Sequence, residues 1–215
     1  MKTAIFSVVA LLFISGASYS GPGIDPCGSS VSLTGCSWMQ LNICPAGDFD
    51  SIRDQCGSDG YISVTVLDRE WEGIPGIPWT DYWIGSCDPG NEIMICMDGV
   101  VADSLTNQDG ETTISGAIAG SGCAVSGGVY LKIQNIIIME QPACTEPACI
   151  AIEIRSPDYV PDGMVDLSDL SAFSSSFGHC WGEEGYIECF DFHNDDCINL
   201  SDFAKFACHW RHRCY

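Results

Sequence analysis

Two clusters of oxygen-bearing side chains recur late in the chain with the same internal spacing. The first is Asp158, Asp162, Asp166 and Asp169, and the second is Asp191, Asp195, Asn199 and Asp202. Each set falls at positions 1, 5, 9 and 12 of a twelve-residue loop. Met164 and Cys197 stand at position 7, where the backbone carbonyl is the ligand whatever the side chain. A hard divalent cation such as Ca²⁺ takes about six to eight oxygens on a tightly curved loop, so this spacing points to calcium. Position 6 needs a residue that tolerates positive φ; Gly163 fits well and Asp196 less well. Position 3 departs from the pattern in both copies. Val160 offers no ligand, and the imidazole of His193 prefers softer metals. Two calcium sites are expected, the first tighter because it keeps four carboxylates and a glycine at its turn. The competing reading makes both loops plain structural turns.

The elements around the loops must place these ligands. Leu167, Leu170, Phe173 and Phe177 follow the first loop, and Leu200, Phe203, Phe206 and Trp210 follow the second. Both sets step by three, three and four, which puts them on one face of a helix. Before the first loop, Cys149 to Ile154 alternates like a strand, and Pro157 disfavours helix at Ser156. Each repeat is therefore a loop with an exit helix only.

Such a tandem pair, with its D-x-x-x-D-x-x-x-[DN]-L-S-D strings, resembles dockerin modules over roughly residues 156–215. The resemblance implies a calcium-stabilised helical module that docks on a cohesin-like protein or cell-surface scaffold. It also implies that loop positions 10 and 11, Leu167-Ser168 and Leu200-Ser201, face the partner. Read from the residues alone, both leucines fit equally well as the start of the packed stripe, and the serines as helix N-terminal residues.

The compartment follows from the other end. Lys2, the apolar run Ala4–Ile14 and the small residues up to Ser20 read as a secretory signal cleaved before Gly21. That run is too short for a comfortable membrane span. The fourteen cysteines all lie beyond it and read as a disulfide framework in an exported protein. Nine precede Pro157 and five follow it. Full pairing thus needs an odd number of bridges between the regions; otherwise each region keeps an unpaired thiol. A net charge of −21 excludes nucleic acid and disfavours anionic membrane. Zinc is a further option for the tail, through His209, His212 and Cys214 with Cys180, Cys189 or Cys197; disulfides are the reading the compartment favours.

Residues 21–155 read as a cysteine-rich β-sandwich domain. Tyr61–Leu67, Thr112–Ile118, Val129–Gln134 and Ile150–Ile154 alternate with period two, and Ile136–Met139 is continuous as if buried on both faces. Turn chemistry separates them at Gly73-Ile-Pro-Gly-Ile-Pro, Asp88-Pro-Gly-Asn and Asn107-Gln-Asp-Gly. The Gly73 hairpin and the Thr106–Ile114 turn give a resemblance to bacterial immunoglobulin-like domains. No helix is expected here. Asp68, Glu70, Glu72 and Asp81 do not have a spacing that singles out an acid and a nucleophile, and the four histidines all lie in the tail. Trp71, Trp79, Tyr82 and Trp83 could stack on a sugar or pack in the core.

The expected protein is multidomain and mainly β: an immunoglobulin-like β-sandwich followed by a small α-helical, dockerin-like calcium module. It is exported, non-catalytic and binds a partner. Two alternatives stand beside it: a carbohydrate-binding or glycan-active component of a polysaccharide-degrading assembly, and a structural surface or fibre subunit.

Overall fold

A computed structural model describes residues 23–56, 60–88, 91–97, 99–140 and 148–215. The expected signal segment with its cleavage site, the Pro89-Gly90 centre of one expected turn, and Cys144 lie outside the described residues.

The chain is mainly β. In order it forms β1 (Ser30–Thr34), β2 (Met39–Asn42), α1 (Ile52–Cys56), β3 (Tyr61–Thr65), β4 (Tyr82–Ser86) and β5 (Ile93–Ile95). There follow β6 (Glu111–Ile114), β7 (Gly120–Gly122), β8 (Val129–Ile133), β9 (Ile136–Ile138) and β10 (Ile152–Arg155). Two helices close the series, α2 (Leu167–Ser176) and α3 (Leu200–Cys208), with a short 3₁₀ turn at Glu188–Phe190 between them. The strands make several small open sheets. Strands β1-β3-β6 and β4-β8-β9 are antiparallel triplets, β5-β7 is an antiparallel pair, and β2-β10 is a parallel pair.

Period-two patterning works as the residue types predict. On β3, Ile62 and Val64 are buried and pair with Leu33 and Val31 on one side and with Ile114 and Thr112 on the other. On β8, Val129, Leu131 and Ile133 point inward. The β8–β9 hairpin turns through Gln134 and Asn135, both at positive φ, which suits a two-residue hairpin loop. Strand β9 corrects one expectation. It lies at the edge of its sheet, and Ile137 is exposed, so the apolar run is covered on one face only. The five-residue helix α1 was not anticipated; one short turn is too brief to show a periodic stripe. The two features that resembled immunoglobulin-like domains meet in space. Thr106 Oγ1 donates to the Ile74 carbonyl at 2.7 Å and accepts from Ile77 N–H at 2.9 Å. A side chain at Gly73 would strike the Asp109–Gly110 backbone.

Inward residues from the sheets pool into one core, including Leu41, Ile62, Val64, Tyr82, Ile114, Leu131 and Ile154. A second core lies under the helices: Val165, Phe173, Phe190, Phe192, Ile198 and Phe206, with Phe49 from the β region packed against it. Gln40 and Asn42 on β2 donate to the carbonyls of Asp191 and Phe192, at 3.1 and 3.2 Å. Disulfides Cys96–Cys214 and Cys123–Cys189 also cross from one region to the other. Cys36–Cys56 and Cys87–Cys149 stay in the β region, and Cys180–Cys197 stays in the tail. Cys27 is also disulfide-bonded. Among the described residues Cys44 and Cys208 are free, one thiol in each region, which is the second of the two outcomes that the nine–five split allows.

Candidate metal centres

The two loops are built from one set of hydrogen bonds. In the first, the Asp169 carboxylate accepts from the backbone N–H of Val160 (3.0 Å) and of Asp166 (2.9 Å). In the second, Asp202 accepts from His193 (3.0 Å) and Asn199 (2.9 Å). Asp158 accepts from Asp162 N–H and Asp191 from Asp195 N–H. Asp162 accepts from Met164 N–H and Asp195 from Cys197 N–H. Position 12 thereby fixes positions 3 and 9, position 1 fixes position 5, and position 5 fixes position 7. Position 3 contributes its backbone N–H to this scaffold, so Val160 and His193 serve it as well as an Asn or Asp could. Position 6 is at positive φ in both loops, Gly163 at 87° and Asp196 at 64°.

The same carboxylates start the exit helices. Asp166 and Asn199 are N-caps, and each helix opens with a capping box completed by Asp169 or Asp202. Position 12 therefore links loop shape to helix initiation. A cation bound there would act on both.

Charge separates the two loops. Asp158 is fully buried, and its Oδ2 has no hydrogen-bond partner. Burial, with Asp169 and Asp162 nearby, pushes its carboxyl up to about 7. Burial likewise raises Asp169 and Asp202 above the ordinary carboxylate range. Asp191 is just as buried but well partnered. Tyr186 Oη donates to its Oδ2 at 3.1 Å, Asp196 N–H donates at 3.0 Å, and Arg155 lies 3.7 Å away. Arg155 is itself buried and also donates to the Asp191 carbonyl and to Glu188. Ligand oxygens of Asp191, Asp195 and Asp202 lie within 4.8 Å of one another. Among the described residues no three carboxylates of the first loop gather this closely, so the second donor set is the more nearly formed for a hard cation. The first loop offers Asp158, Asp162, Asp166, Asp169 and the Met164 carbonyl; the second offers Asp191, Asp195, Asn199, Asp202 and the Cys197 carbonyl.

Leu167 and Leu200 do not join the packed stripe. They are 72% and 74% exposed, each at the first helical position. Ser168 and Ser201 are used locally: their hydroxyls donate to Asp166 and Asn199 at 2.7 and 2.6 Å. Between the helices, Leu170, Phe173, Ser174, Phe177, Leu200 and Phe203 line an apolar depression of about 290 Å³. Trp71, Trp79 and Trp83 are exposed, whereas Tyr82 is core.

The tail cysteines weighed as zinc donors are in bridges, the reading the compartment favours: Cys180 with Cys197, Cys189 with Cys123, and Cys214 with Cys96. His209 and His212 instead face Cys44 and Asp48, residues the sequence reading had not connected with them.

Fold and loops together define a mainly β, disulfide-bonded chain with two carboxylate loops, each opening a capped helix. No family model and no curated protein matches it. Among solved structures, it is similar to a chain of an N-terminal interface mutant of a type II cohesin–X-dockerin complex from Acetivibrio cellulolyticus. The alignment covers 86% of this chain and 97% of that one, at 14% identity and a TM-score of 0.27, too low to define a shared fold. Among the described residues no helix is long and apolar enough to cross a membrane.

Proposed function

We propose that this is an exported, non-catalytic, calcium-binding interaction protein, in which an immunoglobulin-like β-sandwich carries a dockerin-like helical module. The observation that carries the reading is Asp158 Oδ2. A buried carboxylate oxygen without a partner sits in a loop whose scaffold is otherwise duplicated in the second loop. An ionised carboxylate in that position needs a counter-charge, and Asp162, Asp166 and Asp169 of the same loop would offer further oxygens to a cation. Calcium would neutralise the clustered carboxylates. The chain's part is to hold position 12 so that the loop and the first turn of its helix form together.

The partner is a cohesin-like protein or cell-surface scaffold, meeting the exposed Leu167 and Leu200 and the apolar depression between α2 and α3. Calcium titration of the oxidised protein, followed by circular dichroism and mass spectrometry, tests the metal. A chelator-sensitive helical signal, lost in Asp158→Ala/Asp169→Ala, is expected; identical wild-type spectra with and without chelator would refute calcium binding. Ser168→Arg/Ser201→Arg should weaken a cohesin complex while leaving calcium-dependent folding intact.

One observation favours a second reading. Exposed Trp71, Trp79 and Trp83 offer flat apolar faces of the kind that stack on sugars. Binding to a polysaccharide that is lost on changing these tryptophans to Ala would move the assignment to a carbohydrate-binding component.

A further inference from the structure

Four side chains with metal-ligating atoms converge where the turn after β2 meets the end of α3. Cys44 Sγ lies 3.0 Å from Asp48 Oδ1 and 3.8 Å from His212 Nδ1. His209 Nδ1 and His212 Nδ1 are 3.3 Å apart. Asp48 Oδ1 is 3.7 Å from His209 Nδ1 and 3.2 Å from His212 Nδ1. All four ligating atoms lie within 4.8 Å of one another. Zinc bonds of about 2.0–2.3 Å in a tetrahedron set ligand-to-ligand edges of about 3.3–3.6 Å. Five of the six edges, 3.0 to 3.8 Å, bracket that range, and the sixth, Cys44 to His209, is within 4.8 Å.

The surrounding chain holds these groups in place. Cys44 is fully buried, and the backbone around it is tied by Gly47 N–H to the Cys44 carbonyl and by Gly120 N–H to the same oxygen. Gly47 turns at φ 69°, which brings Asp48 back beside the thiol. His209 stacks on Phe49, with ring centroids 4.1 Å apart. Arg211, a non-glycine residue at φ 67°, folds the chain between the two histidines, and Val165 N–H fixes the His212 carbonyl. Positive φ at a residue with a side chain is uncommon and needs support from its surroundings. Here it turns His212 toward His209. Two Nδ1 atoms at 3.3 Å beside a carboxylate and a sulfur make a compact donor shell, and its sulfur and nitrogen atoms select a borderline metal over calcium.

We propose that Cys44, Asp48, His209 and His212 form a tetrahedral zinc site that fastens the β region to the end of α3. The thiol is well placed for the role, since Cys44 is buried and has no disulfide, while Cys208, the other free thiol, is exposed. Burial and the Asp48 carboxylate push the Cys44 thiol up to about 11, so zinc must displace a proton as it binds. The calcium loops use other residues, and the site stands whether or not they bind calcium.

The full oxidised chain, without an affinity tag, is titrated with Zn²⁺ in excess calcium and then with Co²⁺. One Zn²⁺ per chain is expected. The Co²⁺ form should show a thiolate-to-metal charge-transfer band with the visible bands of a tetrahedral centre. Cys44→Ser should abolish the charge-transfer band. Asp48→Asn and His212→Gln, at side chains that are partly exposed, should each lower zinc affinity by about a hundredfold, at least the loss typical of disturbing a metal's supporting shell. Cys208→Ser should change nothing. The proposal is overturned if no zinc binds in excess calcium, if the band survives Cys44→Ser, or if Asp48→Asn and His212→Gln both bind zinc as the parent does.

Discussion

The two carboxylate loops share a hydrogen-bond scaffold yet balance their charge differently. In the second, the buried position-1 carboxylate already has Arg155, Tyr186 and a backbone N–H as partners. In the first, the equivalent carboxylate keeps an oxygen with none. Arg155 belongs to β10, so the β region supplies the second loop with a fixed positive charge. The difference teaches that a repeated motif need not mean repeated dependence on a cation. The second loop has a built-in counter-charge, and the position-1 carboxylate of the first has an oxygen without a partner.

The largest effect should come from removing that internal charge. Arg155→Ala leaves the buried Asp191 without its counter-charge, and breaking a buried pair costs about 3–5 kcal/mol. Denaturant midpoints should show the loss in chelator and partial recovery in calcium, as the second loop comes to rely on a cation. An equal loss in both conditions would erase the contrast between the loops.

Next in size is the calcium gain itself. A ligand at a hundred times its Kd stabilises by about 2.7 kcal/mol, and the first loop should account for most of it. Asp158→Asn removes the unpaired charge. It should raise the thermal midpoint in chelator while blunting the rise on adding calcium. A variant that loses stability in chelator would show that the carboxylate is already satisfied.

A smaller effect concerns pH. The Asp158 carboxyl rises from 3.8 to about 7 in the folded protein, so the native state holds a proton that the unfolded chain has released. Stability in chelator is therefore greatest below about pH 4 as far as this group is concerned, and falls as pH rises through about 7. Asp169 and Asp202 act in the same direction. Calcium should flatten the slope, and thermal melts at pH 5 and pH 8 with and without chelator check this. The smallest effect is expected from Ser168→Arg/Ser201→Arg, within about 0.5 kcal/mol in stability, because the capping residues themselves remain.

The loops and exit helices were legible because their logic is local: the spaced carboxylates and the positive-φ residue fall within one twelve-residue span, and the helical apolar stripe follows directly. Strands with strict alternation, such as β3 and β8, were legible for a similar reason. What failed depended on distant partners. Ile137 sits on an edge strand, a fact of sheet order that an apolar run does not encode. For Leu167 and Leu200 helical spacing left packed and exposed roles equally open, and only the packing of the helices shows both to be exposed. The compensation of Asp191 by Arg155 joins residues from two regions. So does the grouping of Cys44 and Asp48 with His209 and His212, which no spacing rule would connect.

The bridges Cys96–Cys214 and Cys123–Cys189 have a mechanical consequence. A pull applied to α3 through a bound partner reaches β5 and β7 along covalent paths that bypass the peptide link at Ser156-Pro157. Tension would then be shared among three routes instead of stretching one linker. A single proteolytic cut between the regions would leave the tail attached until the bridges were reduced.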